Sequence, residues 1–501
     1  MKPRSIGRNL TWNVAGEGLP ALAAVVAIPV LVHRLGAERF GILTLSWMLA
    51  GYFGLFDLGL GRALTQALVQ QWNHGNRANA AALFWSTLGV MLAASVSAAS
   101  TLALAGPWLV RSALRIPFAL QSQTLTACYL IAIGLPMLIS ASALRAALTA
   151  ADRFDLLNLI RTPIGIMSFV APLAVLMFTH SLAWLIGALM LNRAVSWALY
   201  FGAALHAIPD LRVHFAIDLR AMPPLFGFGA WISVSALVAP MLVYMDRFLI
   251  GALLPVAALA AYSVPMEIVS KSFVFPAAVS GVMFPAFARC GLESREAATV
   301  LFVRAVKLIA LVLIPVFAAL IAFAPQIMAT WIDPRFARQS AELLQILAIG
   351  GFITGLAWIP LALLHGVRRP DLPAKLHLVD FPVYALMLAV AIRRFGLAGA
   401  ALIWTARMLL ENLVLFAMAA RYLEVTAQSA AKAAVGLAGA IMLLAAGALI
   451  NPLLLKTIFM LAVLLLATAA ALRMFPQRFA AASYRSMLPS PAASLYRKAS
   501  D

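Results

Sequence analysis

Fourteen apolar stretches, lying almost end to end, fill this 501-residue chain. A helix needs about 20 apolar residues to cross a hydrocarbon layer roughly 30 Å thick, and most of the stretches are that long. Hydrophobic residues make up 64% of the chain and charged ones 11%, a balance no soluble core could absorb. Only helices and closed barrels satisfy the backbone within a bilayer, and the unbroken Leu/Ala/Val runs exclude a barrel. The expected fold is therefore an all-α polytopic membrane protein with almost no mass outside the bilayer. The runs predict spans at 10–32, 40–61, 80–106, 123–145, 158–178, 181–203, 223–252, 257–287, 303–325, 342–364, 374–393, 396–420, 430–450 and 451–472. Those at 181–203, 396–420 and 451–472 follow their predecessors so closely that each join must be a tight hairpin.

The basic residues between spans alternate from rich to poor. Of the 37 lysines and arginines, 24 fall on the side of the N-terminus and 9 on the opposite side, Lys456 among the latter. Arg193, Arg247, Lys271 and Arg407 lie within spans. The positive-inside rule then puts both termini in the cytoplasm, which an even number of spans also requires. Basic loops beside anionic headgroups account for the net charge of +19 without any nucleic-acid partner. The tail after 473 is unpatterned and reads as a disordered cytoplasmic segment.

Nothing in the chain looks catalytic. No expected loop exceeds about 20 residues by the span assignment, against the extramembrane acid/base machinery that glycan-building enzymes need. There is no Gly-rich phosphate loop, no zinc-protease motif and no nucleophile–base set. Cys128 and Cys290 have neither metal-ligand nor disulfide spacing and read as small buried hydrophobes.

Ionisable residues inside spans carry the functional information, because an ionised side chain at mid-bilayer costs about 2.5 to 17 kcal/mol and so faces a partner or a wet cavity. Glu17 stands alone in the first span, and Asp57 ends the second. Glu267 and Lys271 in the eighth span are four residues apart and share a helix face, as do Arg407 and Glu411 in the twelfth. Asp246–Arg247, late in the seventh span, reads as a helix-end anchor snorkelling to an interface. The eighth span is longer than a bilayer needs and holds Pro265, Pro276 and Pro285, so it is expected to bend.

Several stretches together resemble one family. They are RLGAERFGILTLSWMLAGYFGLFDLGLGRALTQ (34–66), AADRFDLLNLIRTP (150–163), MDRFLIGALLPVAALAAYSVPMEIVSKSF (245–273), GVMFPAFAR (281–289), and WIDPRFARQSAELLQILAIGGF followed by HGVRRPDLPAKLHLVDFP, ending at Pro382. In that order they resemble the polysaccharide-transporter branch of the multidrug/oligosaccharidyl-lipid/polysaccharide exporter superfamily, which includes O-antigen and related flippases. The resemblance implies two six-helix lobes, 1–215 and 216–425, around a central cavity, two extra helices over 426–473, and the tail 474–501. It implies outward movement of an undecaprenyl-diphosphate-linked oligosaccharide across the bacterial inner membrane by alternating access. Lys271, Arg193 and Arg407 are then the candidates for holding the diphosphate and sugar. Glu17, Asp57 and Glu267 are the candidates for ion coupling. No cofactor is implied beyond a coupling proton or sodium ion. The implied partners are membrane lipids, the lipid-linked substrate, and polymerase and chain-length machinery. A multidrug or small-cation antiporter of the same superfamily is the alternative, and a membrane enzyme or assembly subunit of glycan synthesis is the alternative from another class.

Reporters fused at Met1 and at Asp501 should both register as cytoplasmic in an alkaline phosphatase and fluorescent-protein assay. Opposite registers would overturn the orientation.

Overall fold

The computed structural model describes residues 4–55, 60–114, 116–218, 238, 241–367 and 369–474, with most side chains from Leu19 onward. Among these residues all regular structure is helical. In hydrocarbon every N–H and C=O needs an internal partner, and the helix supplies it within one segment. Several buried threonine hydroxyls meet the same demand by bonding back to the preceding turn: Thr44 donates to the Phe40 carbonyl, Thr87 to Leu83 and Thr124 to Leu120.

The first helix, α1 (Arg4–Leu55), holds two arms. They turn at Gly36, whose φ of +74° lies in the left-handed region open to glycine. Ile28 on the first arm and Phe40, Thr44 and Met48 on the second line one cavity, so the arms run side by side. An amphipathic helix that the apolar runs do not announce, α2 (Leu60–Asn73), follows, from the last residues of the expected span 40–61 into the connection after it. It buries Leu60, Leu64 and Leu68 on a single face. Four helices continue the N-terminal half: α3 (Arg77–Trp108), α4 (Phe118–Ala150), α5 (Phe154–Leu176) and α6 (Leu182–Ala207). Side-chain hydrogen bonds tie them: Trp197 of α6 donates to Ser140 of α4 at 2.8 Å, and Asn192 of α6 to the Ile164 carbonyl of α5 at 3.0 Å. Such bonds join helices whose apolar surfaces have little reason to leave lipid.

After the short α7 (Asp210–Val213), α8 (241–253) opens the described part of the second half. The expected bend of the eighth span is present. Helices α9 (Val256–Lys271) and α10 (Val274–Glu293) meet at 42°. The break lies at Ser272–Phe273, whose amides bond three residues back, to Val269 and Ser270. Pro276 explains the position: its ring excludes a continuous helix past the Ser272 carbonyl, whereas in the first turn of a new helix its missing N–H costs nothing.

Helices α11 (Arg295–Ala322) and α13 (Pro334–Gly366) pack around that bend, and α12 (Ala324–Trp331) lies against α13 and α11. The 52-residue α14 (Asp371–Tyr422) is again two arms, reversing at Gly396 with φ +60°. Contacts of His377 with Glu411 and of Asp380 with Arg407 show that the arms are antiparallel. Finally α15 (Ala427–Leu449) and α16 (Leu453–Met474) lie against α11, mostly exposed towards lipid. Lys456, expected in an outer connection, is buried instead in the first turns of α16 and donates to Gln326 of α12 at 3.2 Å.

Nine of the described helices are long and apolar enough to cross a membrane, and the bent pair makes a tenth. With both hairpins divided, the helices follow the expected spans in order, 223–252 being described only in part.

Gly396→Ala should lower the thermal unfolding temperature of the detergent-purified protein, because its φ/ψ costs a side-chain-bearing residue about 1–3 kcal/mol. Gly436→Ala, at a helical position with open space around it, should be neutral or stabilising by comparison.

Candidate functional site

Two cavities flank the Tyr244 side chain of α8. The larger, about 310 Å³, lies among α1, α4, α6 and α8, and its polar lining is Arg145, Arg193, Ser196 and Tyr244. The smaller, about 70 Å³, lies between α1 and the pair α8–α9 and is lined by Thr44, Trp47, Tyr244, Arg247, Ser263 and Glu267, among others. Both therefore sit where helices of the two halves of the chain meet. Gly51 of α1 lets that meeting happen: a Cβ built there would fall on the Tyr244 hydroxyl.

The larger cavity is cationic. Arg145 and Arg193 face each other across neighbouring helices closely enough to repel, and no carboxylate is among the described residues lining it. Like charges gathered in a space of low dielectric attract an anion bearing more than one charge. The fork of an arginine also matches two oxygens of a phosphate or carboxylate.

The smaller cavity is of mixed polarity, with one guanidinium and one carboxylate. The Ser263 hydroxyl, 2% exposed as a residue, and the Trp47 indole N–H have no hydrogen-bond partner among the described atoms.

The candidates from sequence distribute unevenly over this geometry. Arg193 lines the larger cavity and Glu267 the smaller. Lys271 lines neither: its ammonium lies 3.4 Å from Glu267 and over the Phe169 ring of α5, 5.6 Å from the centroid, in the last turn before the bend. Arg407 is also away from both cavities. It is buried, with Nε on Asp380 and Nη2 on Glu411 at 2.9 Å. The carboxylates of Glu17 and Asp57 lie outside the described side chains.

Asp246–Arg247 corrects the expectation of a snorkelling anchor. Both residues are buried, at 1% and 7% exposure. Asp246 accepts from the Tyr262 hydroxyl and from the Arg247 amide, both at 2.8 Å, while Arg247 lies 5.6 Å from the Tyr244 ring centroid and lines the smaller cavity. The reason is that Tyr262 of α9 supplies a partner the sequence does not place beside Asp246.

Sequence reasoning misses Arg145 because the residue falls at the end of a span, in an expected connection, whereas α4 runs on to Ala150 and carries it into the cavity wall. It misses Asp380 and His377 too, although His377, Asp380 and Tyr384 mark a polar stripe at helical spacing in an apolar run.

Comparison with known proteins agrees with this architecture. Residues 30–338 match the sequence family described as "Polysaccharide biosynthesis protein". A Shigella flexneri protein named as a candidate O-antigen transporter is 27% identical over 416 residues, 82% of this chain and 97% of its own length. The lipid II flippase MurJ, in an inward closed conformation, superposes with a TM-score of 0.70 at 11% identity, covering 92% of this chain and 99% of the flippase. An inward-facing multidrug resistance transporter of the MATE family superposes with a TM-score of 0.68 at 15% identity, over 82% of this chain and 98% of that one. At such identities the two structures establish the fold alone.

Asp246→Ala should destabilise the protein by about 1–3 kcal/mol by leaving the buried Tyr262 hydroxyl unpaired. In a denaturation series in detergent, Asp246→Ala/Tyr262→Phe should cost less than the two single changes added together. Strict additivity would show that the bond contributes nothing.

Proposed function

This chain belongs to the polysaccharide biosynthesis protein family, and from that premise we propose that it is a flippase for a lipid-linked oligosaccharide, working by alternating access in the bacterial inner membrane. The observation that carries the reading is the cavity that Arg145 and Arg193 line together at the meeting of the two halves, with no acid among its described lining residues. Moving such a substrate means sheltering a large polar head and a diphosphate from hydrocarbon while the polyprenyl tail stays in lipid. Fixed guanidiniums and cavity water replace the hydration that the diphosphate loses. Two cations in one cavity complement a multiply charged anion, and release at the other face needs only that they be rehydrated. Lys271, half shielded by Glu267 beside the bend, adds a cation at the hinge of α9–α10.

The division into lobes 1–215 and 216–425 has structural support in a matched pair of clamps. Arg153 bonds both oxygens of Asp155 where α5 begins, and Arg369 does the same to Asp371 where α14 begins. These are the fifth and eleventh spans, equivalent positions in two six-helix lobes. Alternating access would rock one lobe against the other about the cavities at Tyr244. A small-cation antiporter would want carboxylates in the cavity. Here the larger cavity has none among its described lining residues, and Glu267 of the smaller one is paired with Lys271.

The test uses cells deleted for this chain and complemented with variants, scored for lipid-linked oligosaccharide left on the inner leaflet. Arg193→Ala and Arg145→Ala should each lower export roughly ten- to a hundredfold, the value of a charge-assisted contact of about 1.5–3 kcal/mol, with normal amounts of protein in the membrane. Arg193→Lys should restore part of the loss. Unchanged export in the double alanine variant would overturn the assignment.

A further inference from the structure

The hairpin of α14 holds a buried ionic cluster that neither cavity uses. Arg407 bridges two carboxylates, Asp380 on the first arm and Glu411 on its own arm. The second oxygen of Glu411 lies 3.2 Å from Nε2 of His377, which returns to the first arm. Exposure of the four side chains runs from 9% at Arg407 to 18% at Asp380. Counting charge shows what is unfinished. Two carboxylates face one guanidinium, so with a neutral imidazole the cluster carries one uncompensated negative charge in low dielectric, a costly arrangement. One added proton makes it neutral.

The geometry says where that proton goes. With Nε2–H donating to Glu411, His377 Nδ1 keeps its lone pair, and that atom is buried with no hydrogen-bond partner among the described atoms. We propose that His377, with Glu411, Arg407 and Asp380, is a proton-binding site that ties the two arms of α14 together when occupied and loosens them when empty. The step balances simply: imidazole takes one proton and becomes imidazolium, and the cluster goes from a charge of −1 to 0. Its role in transport, as the coupling-ion site, rests on the flippase reading; the proton site itself does not.

The surroundings are consistent with a device of this kind. Tyr384, one turn beyond Asp380, lies 4.9 Å from the Arg407 guanidinium carbon, and its hydroxyl is buried and unpartnered among the described atoms. Beyond it stand Asp246 and Arg247 of α8, whose fields act on Tyr384, and Arg247 lines the smaller cavity. The Tyr262 hydroxyl of α9 is held by Asp246. From α13, the groups meeting the second arm are backbone carbonyls, Ile346 accepting from Thr405 and Ile353 from Asn412, while the titratable Arg338, Glu342 and His365 lie towards the two ends of that helix. The cluster thus connects the two arms of α14 with Asp246 and Arg247 at the meeting of the chain's halves.

The experiment needs no substrate. Spin labels are placed at Val379 and Leu410, both exposed on opposite arms, in the full chain with its cysteines replaced and reconstituted in nanodiscs. Pulsed dipolar spectroscopy is then recorded at pH 5.5 and 8.5. We expect a short, narrow interarm distance at pH 5.5 that lengthens and broadens at pH 8.5. His377→Gln keeps a donor for Glu411 but cannot charge, and it should remove the pH dependence, as should Glu411→Gln. A distance that ignores pH in the unsubstituted chain, or a response that survives His377→Gln, overturns the proposal. A response present here alongside unaltered export in His377→Gln cells removes the coupling role and leaves the proton site standing.

Discussion

Every backbone polar group within the bilayer has to find its partner without help from water. That single demand makes the fold all-helical, and it decides where the chain can be broken. Gly36 and Gly396 reverse direction with positive φ where no side chain opposes it. Pro276 stops a helix at a point where a second one can start within two residues. Two breaks sit beside a cavity or a charge, the α1 hairpin lining the smaller cavity and the α9–α10 bend following Lys271, while the α14 hairpin carries the Arg407 cluster several turns along its arms from Gly396.

The same scarcity of water sorts the in-membrane charges into two kinds. Arg407 and Asp246 are held by partners, two carboxylates for the first and a tyrosine hydroxyl for the second. Arg193 and Arg145 line one cavity together, with no acid among its described lining residues. A buried ion locked among partners is costly to disturb and serves structure or switching, while one facing a cavity can also meet a ligand. Glu267 and Lys271 stand between the two classes, paired with each other yet about a third exposed at the edge of the smaller cavity. Tyr244 separates the two cavities, which puts the meeting of the chain's halves and the polar surface at one location.

Much of this is legible in the sequence. Span order, the hairpin at the 393–396 join and the bend of the eighth span all follow from run length and proline placement, because hydrophobic length and backbone chemistry are local properties. The helical spacing of Glu267 with Lys271 and of Arg407 with Glu411 predicts both i,i+4 contacts, and both are present. The failures share a common reason. Arg145 reads as loop because span ends blur by a few residues. Asp246–Arg247 reads as a surface anchor because its partner, Tyr262, lies on the next helix. His377 and Asp380 escape notice because the cation that needs them is on the opposite arm.

The sequence alone therefore determined that this chain is a helical membrane bundle of the polysaccharide-exporter kind, with hairpins, a bent eighth span and a few charges too costly to be idle. It could do so because the cost of crossing hydrocarbon is set residue by residue, for each segment separately. Only the tertiary structure decided which of those charges meet one another and which line a cavity. That depends on groups far apart in the chain brought within about 3 Å of each other, the range over which a hydrogen bond or ion pair outweighs desolvation, and no local pattern encodes such a distance.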